Sequence, residues 1–168
     1  MVVNLFKYSI VFIVSVLLQV LIFNNILIFR MISPFFYILF ILLLPFYTPR
    51  ALLLFLSFAL GLTVDIFTNT PGVHASACLL TGFIRPGVLQ LISSHETVES
   101  AAAPRIENMG FQWFVGYASF LVIIHHLFLF FIEAFTFEGF LITLLRVILS
   151  SVLSVVLIVL SQFLIFRK

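Results

Sequence analysis

Long apolar runs, each bounded by one or two charges, are the feature that most restricts how this chain can fold. The first run extends from residue 8 to residue 29 without a formal charge, and only 8% of all residues are charged. Hydrophobic residues make up 64% of the chain, and the mean hydropathy is +1.34. The core of a water-soluble protein of 168 residues cannot hide that much apolar surface. The sequence therefore predicts an all-α integral membrane protein.

Six helices fit between the charges and leave too little chain for a folded soluble domain, so a single domain over residues 1–168 is expected. Pro34 suits a first helical turn, Pro49 ends the second helix, and the cluster TNTPG stops the third. The polar stretch 93–110 is expected to form a loop. The predicted helices lie at residues 9–28, within 34–47, and at 51–67, 72–92, 111–132 and 140–166.

Six crossings place both chain termini on one side of the membrane, and the basic residues indicate which side. The opposite loops contain Arg30 together with Glu133 and Glu138. The positive-inside rule therefore places both termini in the cytoplasm. A five-helix arrangement would separate the basic residues at the two termini, which fits less well. The basic residues on the terminal side are Lys7, Arg50, Arg105, Arg167 and Lys168.

A few ionisable side chains lie inside the predicted helices. Each costs about 2.5 to 3.5 kcal/mol on insertion scales unless it finds a partner, water or the interface. A rise of about 1.5 Å per residue places Asp65, His126 and Arg146 at similar depth in the outer half of the bilayer. We therefore predict a polar cluster of Asp65, Arg146 and one of His125 or His126, joined by His74. An ion pair between Asp65 and Arg146 in this cluster would be structural rather than a proton relay, because no second carboxylate lies deeper.

Small and polar residues repeat at helical spacing. Ser57, Gly61 and Asp65 follow one another at intervals of four, which predicts a contact strip on the third helix that leads to the turn containing Gly72. Ser15 and Gln19 form a similar pair on the first helix. A polar stripe on the sixth helix is predicted to face inward, although its serines can instead bond to their own helix. The stripe contains Thr143, Arg146, Ser150, Ser154 and Ser161.

Arg85 and Pro86 interrupt the fourth predicted helix. Arg85 lies in the cytoplasmic third of the helix, from which its long side chain can reach the inner interface. Pro86 removes a backbone donor, so a kink is expected there. Two interpretations stay open: a broken helix that borders a cavity or docking groove, or a helix that is simply ending. Trp113 and Tyr117 lie near a predicted helix end, as interfacial aromatic residues do.

The sequence contains no motif that supplies a nucleophile, a general base or a metal site in a membrane. Cys78 is the single cysteine, and no basic patch suited to nucleic acid is present. We therefore expect no enzymatic activity, cofactor or metal. Polar residues sufficient for internal bonding, without a reactive constellation, favour a membrane scaffold that binds a partner's transmembrane helix. Two alternatives stay open. One is a small-solute binding subunit of a transporter, with a pocket of Asp65, His74, His126 and Arg146; the other is a lipid-modifying enzyme that uses the histidines.

Short motifs in the first half of the chain resemble a known family. LLQ lies in the first helix, FRMISPFF enters the second, and Pro49 is followed by Arg50. GLTVD, which begins at Gly61 and ends at Asp65, is followed by TNTPGVHA. In order and spacing these motifs resemble the bacterial rod shape-determining protein MreD family. The similarity extends from residue 17 to about residue 86; the second half agrees in length and hydropathy, and the stretch 93–110 departs from the pattern.

The resemblance implies a non-enzymatic, multi-pass protein of the bacterial inner (cytoplasmic) membrane that helps maintain cell shape during peptidoglycan elongation. It implies contact with membrane lipid, direct binding of an MreC-like bitopic protein, and indirect association with actin-like MreB filaments and the RodA and penicillin-binding-protein synthase. It also implies a six-helix fold shared with the substrate-binding subunits of energy-coupling-factor transporters. In such a protein Gly61 and Asp65 would hold the third helix against the bundle and fix the turn 68–72 for a periplasmic partner.

Overall fold

The computed structural model describes residues 2–25, 32–93, 103–135 and 139–165, and the regular elements in these ranges are helices. Five of these helices are long and apolar enough to cross a membrane. The predicted all-α membrane class agrees with this result. Residues 94–102 of the predicted loop and Arg30, Glu138, Arg167 and Lys168 lie outside the described residues. The helices are α1 (Val2–Leu21), α2 (Ile38–Leu43), α3 (Arg50–Thr68), α4 (Val73–Ile92), α5 (Ile106–Met109), α6 (Phe111–Ala134) and α7 (Phe140–Ile165).

The second predicted helix is confirmed only for the six residues of α2. Residues 32–36 before it are not helical. After it, Leu44 has φ −57° and ψ 145°. That extended conformation is the one that a following proline favours, and Pro45 follows. Pro45 therefore ends the helix four residues before Pro49, the predicted stop.

Residues 32–44, here called the broken segment, lie in the interior of the bundle. Every residue of α2 is buried, and Tyr37, Ile38, Ile41 and Leu42 are completely inaccessible. Ser33 contacts Ser150 of α7 at the start of the segment, whereas Leu44 contacts Arg85 of α4 at its end. The segment thus runs along the bundle between its two ends.

Helices α3 and α4 form an antiparallel pair joined by a turn at residues 69–72. We call the end of the bundle that carries this turn the turn end. A Cβ atom on Gly61 would lie 2.5 Å from Ala75 Cα and 2.6 Å from Ala75 N, so only glycine permits this approach. Farther along the pair, Gly82 leaves the space that the side chain of Ser57 fills. The strip predicted on the third helix is therefore the contact between α3 and α4.

Replacing Gly61 with alanine is expected to lower the free energy of unfolding by about 2 to 3 kcal/mol, because the new methyl group meets backbone that cannot move aside. The matched control is Gly87→Ala in α4, where an added Cβ meets nothing within 4 Å. That change should be neutral or raise stability by about 0.5 to 1 kcal/mol through helix propensity. Titration from mild detergent into dodecyl sulfate, followed by circular dichroism, measures both values. Equal effects of the two substitutions would contradict the close approach.

Candidate functional site

The carboxylate of Asp65 binds the N-terminus of α4. Its Oδ1 accepts hydrogen bonds from the backbone N–H of His74 at 3.0 Å and from the Thr70 hydroxyl at 3.0 Å. Its Oδ2 accepts from the backbone N–H groups of Gly72 at 3.1 Å and Ala75 at 2.9 Å. The first N–H groups of a helix have no partner within the helix, and a negative charge there is favourable. Asp65, which is 3% exposed, therefore caps α4 from the neighbouring helix.

The His74 side chain adds a further contact to the Asp65 carboxylate. His74 Nδ1 lies 3.0 Å from Asp65 Oδ1 and 2.9 Å from the Thr70 hydroxyl. A carboxylate oxygen only accepts, so the ring carries its proton on Nδ1 and donates it to Asp65. Asp65 thus receives five hydrogen bonds from one short stretch of chain. This arrangement explains why a chain so poor in charge contains a carboxylate here.

The turn itself is shaped by the backbone around Asp65. Asn69 ends α3 in the left-handed conformation, at φ 55°, and its N–H donates to the Asp65 carbonyl. Gly72 has φ 87°, a value that glycine adopts without strain. Asp65 therefore contributes its backbone carbonyl to the end of α3 and its side chain to the start of α4. The turn is held from both sides by one residue.

The predicted pairing of Asp65 with Arg146 is wrong. Arg146 Nη1 instead lies 3.1 Å from Glu133 Oε2, at the other end of the connection between α6 and α7. The Arg146 guanidinium carbon also lies 4.2 Å from the centre of the Phe130 ring, within the range of a cation–π contact. The rise of a helix gives the depth of a residue along its axis but does not specify which way the side chain points. Glu133, one helical turn from Phe130, is the nearer carboxylate.

The Asp65→Asn and Arg146→Gln substitutions are expected to lower stability additively, because the two residues belong to separate hydrogen-bond networks. Unfolding of each single variant and the double variant by dodecyl sulfate gives the interaction energy. We expect a value below about 0.5 kcal/mol, as for independent sites. A coupling above about 1 kcal/mol would contradict the structure and restore the direct ion pair.

A cavity of about 200 Å³ opens at the turn end between α1, the broken segment, α4, α6 and α7. Its polar lining includes Gln19, Thr70, His74, Glu133 and Arg146. Two of the four residues predicted to line a solute pocket therefore lie at this cavity. His74 and Arg146 line the cavity, but Asp65 and His126 do not.

His126 belongs to a second network, which holds the first half of the broken segment. Its Nδ1 donates to the Val122 carbonyl at 2.8 Å, so Nε2 accepts from the Ser154 hydroxyl at 3.1 Å. Ser154 in turn accepts from the backbone N–H of Phe35 at 2.8 Å. One helical turn away, the Ser150 hydroxyl accepts from the backbone N–H of Ser33 at 3.1 Å. Ser150 and Ser154 of α7 therefore bond to the backbone of the broken segment.

The spacing of these contacts matches an extended chain. Two residues of extended backbone advance about 6.6 Å, and four residues of helix advance about 6 Å. Gln19 of α1 bonds to the other side of the segment. Its Oε1 accepts from the Phe36 N–H at 2.7 Å, and its Nε2 donates to the Pro34 carbonyl at 3.1 Å. Backbone groups that a helix would satisfy internally are thus satisfied by side chains, as an apolar surrounding requires.

Arg85 holds the other end of the broken segment. It is 1% exposed, so the predicted reach to the inner interface is wrong. Its Nε donates to the Tyr117 hydroxyl at 2.8 Å, and its Nη2 donates to the Leu44 carbonyl. The Tyr117 hydroxyl donates to the Leu42 carbonyl at 3.1 Å. The carbonyls at the C-terminus of α2 thereby find donors, and a positive charge is favourable at that end of a helix.

Two further expectations about this region are corrected. Tyr117 is completely buried, so it is a bonding partner inside the bundle rather than an interfacial aromatic residue. Helix α4 continues through Pro86 to Ile92, so the interpretation of a helix that is ending at Pro86 is wrong. Sequence reasoning missed the role of Tyr117. The signal was available in its spacing: Tyr117, Leu121 and His125 follow at intervals of four, and all three are buried.

His125, the other histidine of the adjacent pair, lies at the centre of the bundle. His125 Nε2 lies 3.1 Å from the Tyr37 hydroxyl of the broken segment and 3.9 Å from Cys78 Sγ. The adjacent His126 points to α7, so the two rings face different elements. Among the described residues, no group of three or more His, Cys, Asp or Glu side chains is placed to hold a metal ion.

Five long apolar helices around a hydrogen-bonded interior define the class of this chain, which is an α-helical, multi-pass membrane protein. Comparisons with known proteins do not narrow the class. No protein-family model and no curated protein matches the sequence, and no solved structure matches the fold.

Proposed function

We propose that this protein is a non-enzymatic scaffold of the cell-wall elongation machinery in the bacterial inner membrane, where it binds a bitopic, MreC-like partner and helps maintain cell shape. The main support is the use of the buried polar side chains. Asp65, Gln19 and Arg85 bond to backbone of the turn or of the broken segment. Such bonds fix a shape, which is what a docking platform requires. The resemblance of residues 17–86 to the MreD family supplies the identity of the partner.

The turn end offers a defined surface for that partner. Ile66 and Phe67, in the last turn of α3, are 69% and 60% exposed. They adjoin the turn that Asp65 fixes, so a partner meets rigid backbone beside apolar side chains. We propose that the partner's membrane-proximal region rests on Ile66, Phe67 and the turn. Through this partner the protein would associate indirectly with MreB filaments and with the RodA and penicillin-binding-protein synthase.

The proposed topology has six crossings and both termini in the cytoplasm. The broken segment would be the sixth crossing, because extended backbone over residues 32–36 and helical backbone from there to Leu44 together span roughly 25 Å, close to the ~30 Å of hydrocarbon. Non-helical backbone is tolerated at that depth where protein surrounds it. The turn end then faces the periplasm. Fusions of green fluorescent protein to each terminus test the topology, because this protein fluoresces in the cytoplasm and not after export in unfolded form. Both fusions should fluoresce; one fluorescent and one dark fusion would exclude the topology.

Co-purification tests whether the bitopic partner binds. The full chain is co-expressed with the MreC-like bitopic protein and isolated in mild detergent. Replacing Ile66 and Phe67 together with alanine should reduce the bound partner about tenfold or more, which corresponds to a lost contact of ~1.4 kcal/mol or more. The matched control is Leu141→Ala, which removes an apolar side chain that is 76% exposed at the start of α7. This control should retain the partner.

Two outcomes would contradict the proposal. The first is a wild-type protein that is well folded but does not retain the bitopic partner. The second is equal retention of the partner by the Ile66/Phe67 variant and the Leu141 control, which would show that the partner binds to another surface. The Asp65→Asn variant is an independent test. It should weaken partner binding because the turn loses its support, even though no partner atom needs to touch the carboxylate.

The cavity at the turn end favours a second candidate function, a small-solute binding subunit of a transporter. Polar groups of both signs converge on a partly open cavity, as in ligand sites. Native mass spectrometry of the purified chain tests this candidate directly. A retained small molecule that is lost on cavity substitutions would favour it, and an empty protein that binds the bitopic partner would favour the scaffold.

A further inference from the structure

The turn-end cavity brings together a cation, an anion and an imidazole. Arg146, Glu133 and His74 all line it. The side chains of Arg146 and Glu133 are 32% and 41% exposed, so both remain accessible from outside. A volume of about 200 Å³ lies below the ~300 to 1,000 Å³ of drug-sized pockets. The cavity therefore suits a small polar molecule or the headgroup of a larger one.

The guanidinium of Arg146 is held in place, but not all of its N–H groups have a hydrogen-bond partner. Glu133 occupies Nη1, and the ring of Phe130 lies 4.2 Å from the guanidinium carbon. Nε is buried and has no hydrogen-bond partner in the described part of the chain. An arginine presents Nε and the second Nη along one edge, and a carboxylate or phosphate bonds to such an edge with two oxygens. An oxyanion that enters the cavity would bond to this edge by displacing the groups that cover Nε.

The other side of the cavity consists of acceptors. Glu133 uses Oε2 for Arg146, which leaves Oε1 able to accept. His74 donates through Nδ1 to Asp65, so its Nε2 is an acceptor, and Glu133 is near enough to act on the His74 ring electrostatically. A simple anion would be repelled by Glu133, and a simple cation would be repelled by Arg146. A molecule with both charges satisfies both sides.

We propose that the turn-end cavity is a binding site for a small zwitterion, with its oxyanion on Arg146 and its protonated amine on Glu133 and His74. Two sources supply this chemistry. One is a free amino acid, and the other is a phospholipid headgroup with a primary amine, as in phosphatidylethanolamine. The site rests on the cavity alone, so it goes beyond the scaffold role and would give the second candidate function its ligand class.

The experiment uses the purified full chain in detergent. The common amino acids are added singly, and in separate samples phosphatidylethanolamine, phosphatidylglycerol or phosphatidylcholine is added; binding is measured by native mass spectrometry and by the midpoint of thermal unfolding. We expect at least one amino acid, or phosphatidylethanolamine, to bind. Arg146→Gln and Glu133→Gln should each weaken that binding about tenfold or more. The matched control is Arg50→Gln, which removes an exposed arginine at the opposite end of α3 and should leave binding unchanged.

The two sources and the opposing results are distinguishable. Binding of an amino acid without retention of phosphatidylethanolamine identifies a free solute, and the converse identifies a lipid. Equal binding of phosphatidylglycerol or phosphatidylcholine, or unchanged binding in Glu133→Gln, would overturn the zwitterion assignment, as would absence of binding by all probes. The thermal midpoint of each ligand-free variant shows that it is folded. If no ligand binds to the cavity, the proposal of a bitopic partner still stands, because co-purification tests it separately.

Discussion

Asp65→Ala is expected to lower the free energy of unfolding by about 3 to 5 kcal/mol. The substitution removes five hydrogen bonds and leaves the backbone N–H groups of Gly72, His74 and Ala75 without their acceptor. A buried donor without a partner costs about 1 to 3 kcal/mol. Water at the turn end can relieve the exposed part of this loss, so we expect a value below the sum of three full penalties. Dodecyl sulfate titration measures the change.

Thr63→Ala is the control for this prediction. Thr63 lies on the same helix, and its hydroxyl donates only to the Ala59 carbonyl of that helix, at 2.7 Å. Its removal should cost less than about 1 kcal/mol. The Asp65 variant should in addition become susceptible to proteases at the turn, because residues 69–72 lose the side chain that fixes them. A cost no greater than that of Thr63→Ala, with the turn still protected, would show that the carboxylate does not organise it.

Four of the five long helices could be predicted because their signals are local. The first is wrong: it was predicted at residues 9–28, but α1 begins at Val2 and ends at Leu21, so Lys7 lies inside the helix rather than before it. The predicted ranges 51–67, 72–92, 111–132 and 140–166 differ from the observed helices by two residues or fewer at each end described. Hydropathy defines the apolar length, and charges, glycine and proline mark the ends. The inward position of Ser150, Ser154 and Ser161 followed from helical spacing in the same way, and all three are buried.

The broken segment could not be predicted from the same signals. An apolar run that is buried on every side looks alike whether it is helical or extended, because no alternation or helical period survives. Pro45 was the local signal that distinguished them. The hydrogen-bond partners of Gln19, Ser150 and Ser154 could not be predicted for another reason. They bond to backbone of a distant segment, and only its path through the bundle places those groups within reach.

For Asp65, Arg85 and Arg146, too, one property could be predicted from the sequence and another could not. Their approximate depth follows from the rise of a helix, but their partners depend on the rotation of each helix about its axis. Asp65 was expected to need a cation and is instead satisfied by the N–H groups of the next helix, nine and ten residues ahead. That pairing is local in sequence. A carboxylate followed by a glycine-containing turn and a new helix predicts such a cap.

Arg85→Met is expected to lower the free energy of unfolding by about 3 to 4 kcal/mol, although it removes a buried charge. The Leu44 carbonyl loses a donor, and Tyr117 loses the partner that orients it toward Leu42. Each unsatisfied buried group costs about 1 to 3 kcal/mol, while the methionine retains part of the packing volume. Arg85→Lys should cost less than Arg85→Met but more than nothing, because lysine keeps the charge without the planar set of donors.

The double-mutant cycle with Tyr117→Phe separates a network from a simple buried charge. Because Arg85 and Tyr117 bond to each other and converge on the C-terminus of α2, the double variant should cost at least about 1 kcal/mol less than the sum of the single variants. If the charge alone mattered, Arg85→Lys would be neutral and the cycle additive. If burial of the cation were a net penalty, Arg85→Met would stabilise the protein, as removal of some buried ionic groups does. Both results would contradict a role for Arg85 in holding the broken segment inside the bundle.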